Sequence, residues 1–92
     1  MGTFHTLFGE SHMTEEEVKN TIEQELEGVK AYVSGNDHTH YQVTVVGTVF
    51  ENKSRVARQK MVYQVLSDYI KGGDIHALEL KTVTPSEWEN QG

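Results

Sequence analysis

The chain has 92 residues, no cysteine and a formal net charge of −6 at neutral pH. Without cysteine it forms no disulfides and supplies no thiolate as a nucleophile or metal ligand. An acidic chain is a poor general binder of phosphate backbones, because such binding depends mainly on lysine and arginine.

Residues 1–13 differ from the rest of the chain because they show no periodic pattern of apolar residues. The segment ends in Ser-His-Met, which resembles a cloning scar, and it lacks the basic and apolar regions of a secretory signal. We therefore expect residues 1–13 to be a disordered expression leader and residues 14–92 to be a single domain. No stretch approaches the roughly twenty apolar residues of a membrane span, so we expect a soluble, cytoplasmic protein.

The first predicted element is an acidic helix. Thr14 and Glu17 have the spacing of a capping box, in which each side chain bonds the backbone amide of the other residue. An apolar residue then recurs at every fourth position up to Leu26, and Gly28 is a suitable stop. We expect this helix to cover about residues 15–27.

Two strands are predicted next. Residues 29–34 favour a short strand, and residues 41–50 favour a longer one because they are rich in valine and aromatic residues. Glycine, asparagine and aspartate at positions 35–37 favour a turn. The short loop between the two strands predicts a hairpin, and hence antiparallel pairing.

A helix, a strand and a short helix complete the chain. Ser54 is a potential N-cap for a helix over residues 55–71, in which only the C-terminal half has an apolar side. Residues 75–83 are predicted as the third strand, with His76 on the side of two leucines and so pointing partly into the core. Pro85 favours a final helical turn. The element order α-β-β-α-β-α predicts an α+β two-layer sandwich, with two helices on one face of a three-stranded mixed sheet.

Histidines are the candidate metal ligands. His38 and His40 are two apart in an extended segment, so their side chains project to one side and could share a metal ion. Asp37 adds a possible oxygen ligand, although it also suits the turn. The plainer interpretation is that the loop histidines are solvated and that His76 is a core-edge residue whose nitrogens bond the backbone.

The second candidate site is basic and has no acidic residue between positions 52 and 67. Its cations lie at a helix start, where they oppose the helix dipole. This suggests that they serve a partner, although most such runs are only a solvated face. The candidate contacts are Lys53, Arg55, Arg58 and Lys60. Hydrolase, Walker and dinucleotide-binding motifs do not occur in the sequence, so we expect no enzyme.

Three ordered segments resemble the BolA family. Residues 50–63 are similar to its central F-x-G-x-S…R-H-R-x-V-Y segment, residues 75–78 to its I-H-A-L strand, and residues 84–88 to its closing T-P-x-E-W. The order and spacing agree over about residues 14–88. The short loop before Tyr41, and Arg-Gln-Lys in place of Arg-His-Arg, look closer to a bacterial acid-stress subgroup of BolA-like proteins than to the founding member.

The resemblance implies a fold similar to class II KH domains and a function in iron–sulfur cluster trafficking or iron homeostasis. BolA-like proteins pair with monothiol glutaredoxins and share a 2Fe-2S cluster with them. The family's I-H-A-L histidine is a cluster ligand and corresponds to His76. The second ligand comes from the loop before the second strand, where His38 is the first candidate, followed by Asp37 or His40.

The thiolate ligands would come from the glutaredoxin cysteine and glutathione, since this chain has none. We therefore expect the isolated chain to be a monomer without a cluster, and to form a heterodimer with its partner.

The resemblance also allows a second function, because BolA itself is a transcription regulator and a KH-like loop and helix start could bind nucleic acid. The four basic side chains named above would contact phosphates. Against this stand the net acidity, Gln59 in place of a histidine, and Asn52 in place of a glycine. Asn52 is tolerable because asparagine visits the left-handed backbone region that glycine would supply. A third possibility is an adaptor that uses the acidic helix or an exposed strand edge without metal.

Overall fold

The computed structural model of the chain describes residues 14–35 and 40–91. The predicted leader and the loop residues Asp37 and His38 lie outside these ranges. The elements follow the predicted order: helix α1 (Glu15–Glu25), strand β1 (Val29–Gly35), strand β2 (His40–Gly47), helix α2 (Arg55–Lys71), strand β3 (Ala77–Val83) and helix α3 (Pro85–Gln91). None of the helices within these ranges is long and apolar enough to cross a membrane.

The three strands form one mixed sheet in the order β1-β2-β3. β1 runs antiparallel to β2. β3 runs parallel to β2 after the crossover through α2, and this pairing sets His40 opposite Ala77. The predicted hairpin and the α+β fold with a three-stranded mixed sheet are therefore confirmed.

One face of the sheet packs against α1 and α2 to form the core. Alternate residues of each strand point to this face, and the apolar stripes of the two helices meet them. The fully buried side chains include Val18, Ile22, Val45, Phe50, Val62 and Leu66. Removing such a side chain from water contributes about 1.5–3 kcal/mol.

Helix α3 covers one end of the opposite face of the sheet. Tyr32 lies between two residues of β1 that pack into the core, so its ring faces the other way. That ring stacks on Trp88 of α3, with 5.0 Å between centroids and 15° between planes. Val46 and Val83, which are register partners on β2 and β3, are buried on this second face.

Helix α1 and strand β2 end earlier than predicted. Helix α1 stops at Glu25 because Leu26 takes an extended backbone, with φ −116° and ψ 118°, and packs against the core. Gly28 has the positive φ expected of a stop, +74°, but lies three residues past the helix. Strand β2 ends at Gly47, and a short 3-10 helix over Thr48–Phe50 follows it.

The third strand begins two residues later than predicted, and the orientation predicted for His76 is wrong. The backbone amides of Asp74 and Ile75 both donate to the carbonyl of Tyr69, at 2.9 and 3.1 Å. This turn carries Ile75 into the core, where its side chain is 1% exposed. His76 comes next and is exposed, so it is not a core-edge histidine.

Candidate functional site

His76 lies directly before β3 and presents its imidazole to solvent. The ring makes no hydrogen bond or ion pair with any other residue that the structure describes. A neutral imidazole of this kind has a ring nitrogen lone pair available to a metal ion.

Gly73 lies beside this imidazole. Its backbone has φ +89°, and a Cβ at this position would lie 3.8 Å from His76 Nε2. Glycine takes this conformation at little cost, whereas other residues are strained there. Position 73 of the turn after α2 therefore places no side chain next to the Nε2 atom.

His40 lies at the same end of the sheet as His76. It is the first residue of β2 and is exposed, and its register partner Ala77 directly follows His76. Parallel strands begin at the same end of a sheet, so the β2–β3 pairing brings the backbones of the two histidines to neighbouring positions. A shallow cleft of about 280 Å³ lies here, lined by residues 40–42 and 77–79.

Within the described ranges, no three histidine, aspartate or glutamate side chains come together in a way that could hold a metal ion. Of the predicted ligands within the described ranges, His40 and His76 have adjoining backbone positions, at the start of β2 and directly before β3. Asp37 and His38 lie outside the described residues, so their assignment stays a prediction.

The basic segment divides into one engaged cation and three exposed ones. Arg58 Nε donates to the Lys53 carbonyl at 2.9 Å, and its Nη1 and Nη2 donate to the Glu87 carboxylate at 2.8 and 3.4 Å. Its side chain is 13% exposed. Lys53, Arg55 and Lys60 are exposed. The nucleic-acid role stays a prediction for all four residues, and the structure adds that the guanidinium of Arg58 is already paired with Glu87.

Sequence reasoning missed the role of Glu87 as the partner of Arg58. Glu87 also forms a capping box with Thr84: its carboxylate accepts from the Thr84 amide at 3.0 Å, and its own amide donates to Thr84 Oγ1 at 3.2 Å. The spacing of Thr84 and Glu87 is the signal that predicts this local pair. The Arg58 guanidinium, with the Thr84 amide, holds the pKa of the Glu87 carboxyl below its ordinary value.

The sequence matches the family model of BolA-like proteins over residues 6–87, a span that begins within the predicted leader. The acid stress protein IbaG of Escherichia coli is 40% identical over 76 residues, which cover 83% of this chain and 89% of that protein. An uncharacterized protein of Buchnera aphidicola is 36% identical over 77 residues, or 84% of this chain and 95% of that protein. The predicted closeness to the bacterial acid-stress subgroup is confirmed.

Solved structures show the same fold. A BolA homologue from Coxiella burnetii superposes with a TM-score of 0.75 at 35% identity, covering 84% of this chain and 97% of that one. BolA1 from Arabidopsis thaliana has a TM-score of 0.70 at 30% identity, covering 79% of this chain and 93% of that one. The likeness to class II KH domains stays a prediction. By its sequence and by its fold, this chain belongs to the BolA-like family.

Proposed function

We propose that this protein is a binding partner of a monothiol glutaredoxin, with which it shares a 2Fe-2S cluster in iron–sulfur cluster trafficking or iron homeostasis. The observation that carries the proposal is the exposed imidazole of His76, which has no partner among the described residues and lies beside the start of β2. The proposed role is binding, with no catalytic step of its own.

The metal-ligating residues of the chain suit a cluster that is shared with another protein. A 2Fe-2S cluster bound by proteins has four protein-side ligands, mostly thiolates, and in some centres two histidines replace two cysteines on one iron. This chain has five histidines and no cysteine. It therefore offers nitrogen ligands, and the thiolates would be those of the glutaredoxin cysteine and of glutathione. When bound, such a cluster accepts and donates one electron, and imidazole ligation raises its reduction potential.

The parallel pairing of β2 and β3 supports His76 as a positioned ligand. The ladder between these strands runs from His40–Ala77 to Val46–Val83, and the inner face of both strands packs into the core. A backbone held by the ladder and by packing of one face into the core fixes the direction of the neighbouring side chain at lower entropic cost than a mobile loop would. Gly73 leaves the space beside Nε2 open.

The second ligand comes from the segment before β2 or from its first residue. His38 is the first candidate from the sequence, followed by Asp37 or His40. His40 gains support from the described geometry, because it is exposed and its register partner adjoins His76.

A spectroscopic titration tests the proposal. We expect the protein, added to a cluster-loaded monothiol glutaredoxin, to change the visible absorption and circular dichroism of the cluster. His76→Ala should abolish this change because it removes the nitrogen ligand. His12→Ala, which removes a histidine of the predicted leader, is the matched control and should leave the change intact. An unaltered spectrum with the wild-type protein would remove the proposal.

The same titration assigns the second ligand. His38→Ala, Asp37→Ala and His40→Ala are compared at equal concentration, and the ligand is the residue whose loss weakens the spectral change most. A loss of similar size in all three variants would contradict a single protein ligand from this segment.

A further inference from the structure

The two edges of the sheet are protected to different degrees. At the β1 edge, carboxylates of α1 bond the backbone: Glu23 accepts from the Ala31 amide at 2.9 Å and Glu15 from the Gly35 amide at 2.8 Å. At the β3 edge, the guanidinium of Arg58 donates to the Thr82 carbonyl at 3.4 Å. Among the described residues, the β1 edge thus has two short bonds with carboxylates, whereas the β3 edge has one longer bond near its C-terminal end.

The remaining outward groups of β3 are available to another strand. In a strand paired on one side, alternate residues direct both N–H and C=O away from the neighbour. Arg58 reaches the Thr82 carbonyl from outside the sheet, so the backbone groups of Thr82 point away from β2. Leu80 and Leu78 are two and four residues before Thr82, so their N–H and C=O groups also point away from β2. Within the described ranges, β3 pairs with β2 alone. A groove of about 840 Å³ borders β3 and is lined by residues of β2, β3, α2 and α3.

An open edge strand of this kind is a template for a second strand. We propose that β3 pairs with β3 of a second copy of this chain, antiparallel about a twofold axis at Leu80, so that one sheet continues through both copies.

The charges on β3 select this partner and this register. Glu79 and Lys81 flank Leu80, are exposed, and point to the same face of the sheet. With Leu80 opposite Leu80, Glu79 of each copy lies opposite Lys81 of the other. Two neighbouring registers would also place outward backbone groups opposite each other. One sets Glu79 opposite Glu79 and the other sets Lys81 opposite Lys81, and like charges directly opposite are destabilising.

The backbone groups agree with the same register. Leu80 faces Leu80 and Leu78 faces Thr82, all of them residues with outward N–H and C=O, so that each pair can exchange two hydrogen bonds. The Thr82 carbonyl keeps its bond to Arg58, since an oxygen of this type has two lone pairs. A twofold contact uses the same edge on both copies, which gives a closed dimer and not a fibre.

Sedimentation equilibrium of the full chain at low salt tests this pairing. One strand per copy is a small interface, so we expect the isolated chain to be the predicted monomer at low micromolar concentration and to form a weak dimer only at high micromolar concentration. Glu79→Lys or Lys81→Glu alone makes like-charge pairs and should raise the dissociation constant about tenfold. An equimolar mixture of the two variants restores opposite charges at both pairs and should dimerise as the wild type does.

Circular dichroism of each variant checks that it is folded, and both substitutions are at exposed positions. A wild-type chain that stays monomeric up to about 1 mM would overturn the proposal. So would single variants that dimerise as the wild type does, or a mixture that dimerises no better than either variant alone. These results do not depend on glutaredoxin, so this pairing and the proposed cluster function stand or fall separately.

Discussion

At the scale of single residues, Asn52 shows how the chain keeps a turn without the glycine of the family motif. Its φ is 65°, and the following amide, of Lys53, donates to the Phe50 carbonyl at 3.2 Å. Asparagine adopts this left-handed region more readily than most residues because its short polar side chain bonds locally. The sequence alone predicts this substitution to be tolerable, and the backbone angle agrees.

Replacing Asn52 with valine should lower the free energy of unfolding by about 1–2 kcal/mol, because a β-branched residue is strained at positive φ. Asn52→Gly is the control and should stay within about 0.5 kcal/mol of the wild type. Urea unfolding measures both. An equal loss in the two variants would show that the backbone angle is not the cause.

Replacing Thr82 or Thr84 with valine should change the free energy of unfolding in opposite directions. Thr82 and Thr84 are both buried, but Thr82 Oγ1 has no hydrogen-bond partner in the described part of the chain, whereas Thr84 Oγ1 accepts from the Glu87 amide. Thr82→Val removes an unsatisfied polar group and should raise the free energy of unfolding by about 1 kcal/mol. Thr84→Val removes a cap and should lower it by about 1 kcal/mol. Thermal unfolding of both proteins distinguishes them, and a change of the same sign in both would contradict this account.

At the scale of elements, helix α3 is too short to be stable by itself. Three contacts hold it: the capping box of Thr84 and Glu87, the ion pair of Glu87 with Arg58, and the stacking of Trp88 on Tyr32. The capping box is local and can be read from the sequence. The other two contacts join residues far apart in the chain, so no local pattern predicts them.

The Glu87 contacts make the stability of the fold depend on pH. Arg58 lowers the pKa of Glu87 first and the Thr84 amide lowers it further, from an ordinary value of 4.5. A carboxyl whose folded pKa is lowered stabilises the fold fully above its unfolded value and loses that contribution as the pH falls through the folded value. The melting temperature should therefore fall as the pH is lowered from 5 to 3, and Glu87→Gln should make this fall shallower. Glu89→Gln, an exposed change on the same helix, is the control, and an equal slope in both variants would contradict the role of Glu87.

The start of β3 shows where reasoning from periodicity stops. Alternation places His76 on the inner side only if the strand begins at residue 75. The turn in which Tyr69 accepts two amides lies before the strand and resets this alternation. As a result Ile75 is buried and His76 is exposed, the reverse of the expectation.

At the scale of the whole molecule, the fold could be predicted because its apolar periodicity, caps and turns all indicate the same element order. The core residues Val18, Ile22 and Leu66 follow the predicted stripes. The adjoining positions of His40 and His76 could not be predicted in this way, because they depend on the parallel register of β2 and β3. The residues could be named as ligands from the family resemblance, and their proximity follows only from the sheet.

The central claim is that a histidine nitrogen of this chain binds an iron of a cluster whose sulfur ligands belong to another protein. Electron paramagnetic resonance of the reduced complex, with only this chain labelled with ¹⁵N-histidine, measures it most directly. We predict a strong ¹⁵N hyperfine coupling that His76→Ala removes. A complex whose spectrum shows no ¹⁵N coupling from this chain, or the same coupling after His76→Ala, would contradict the account.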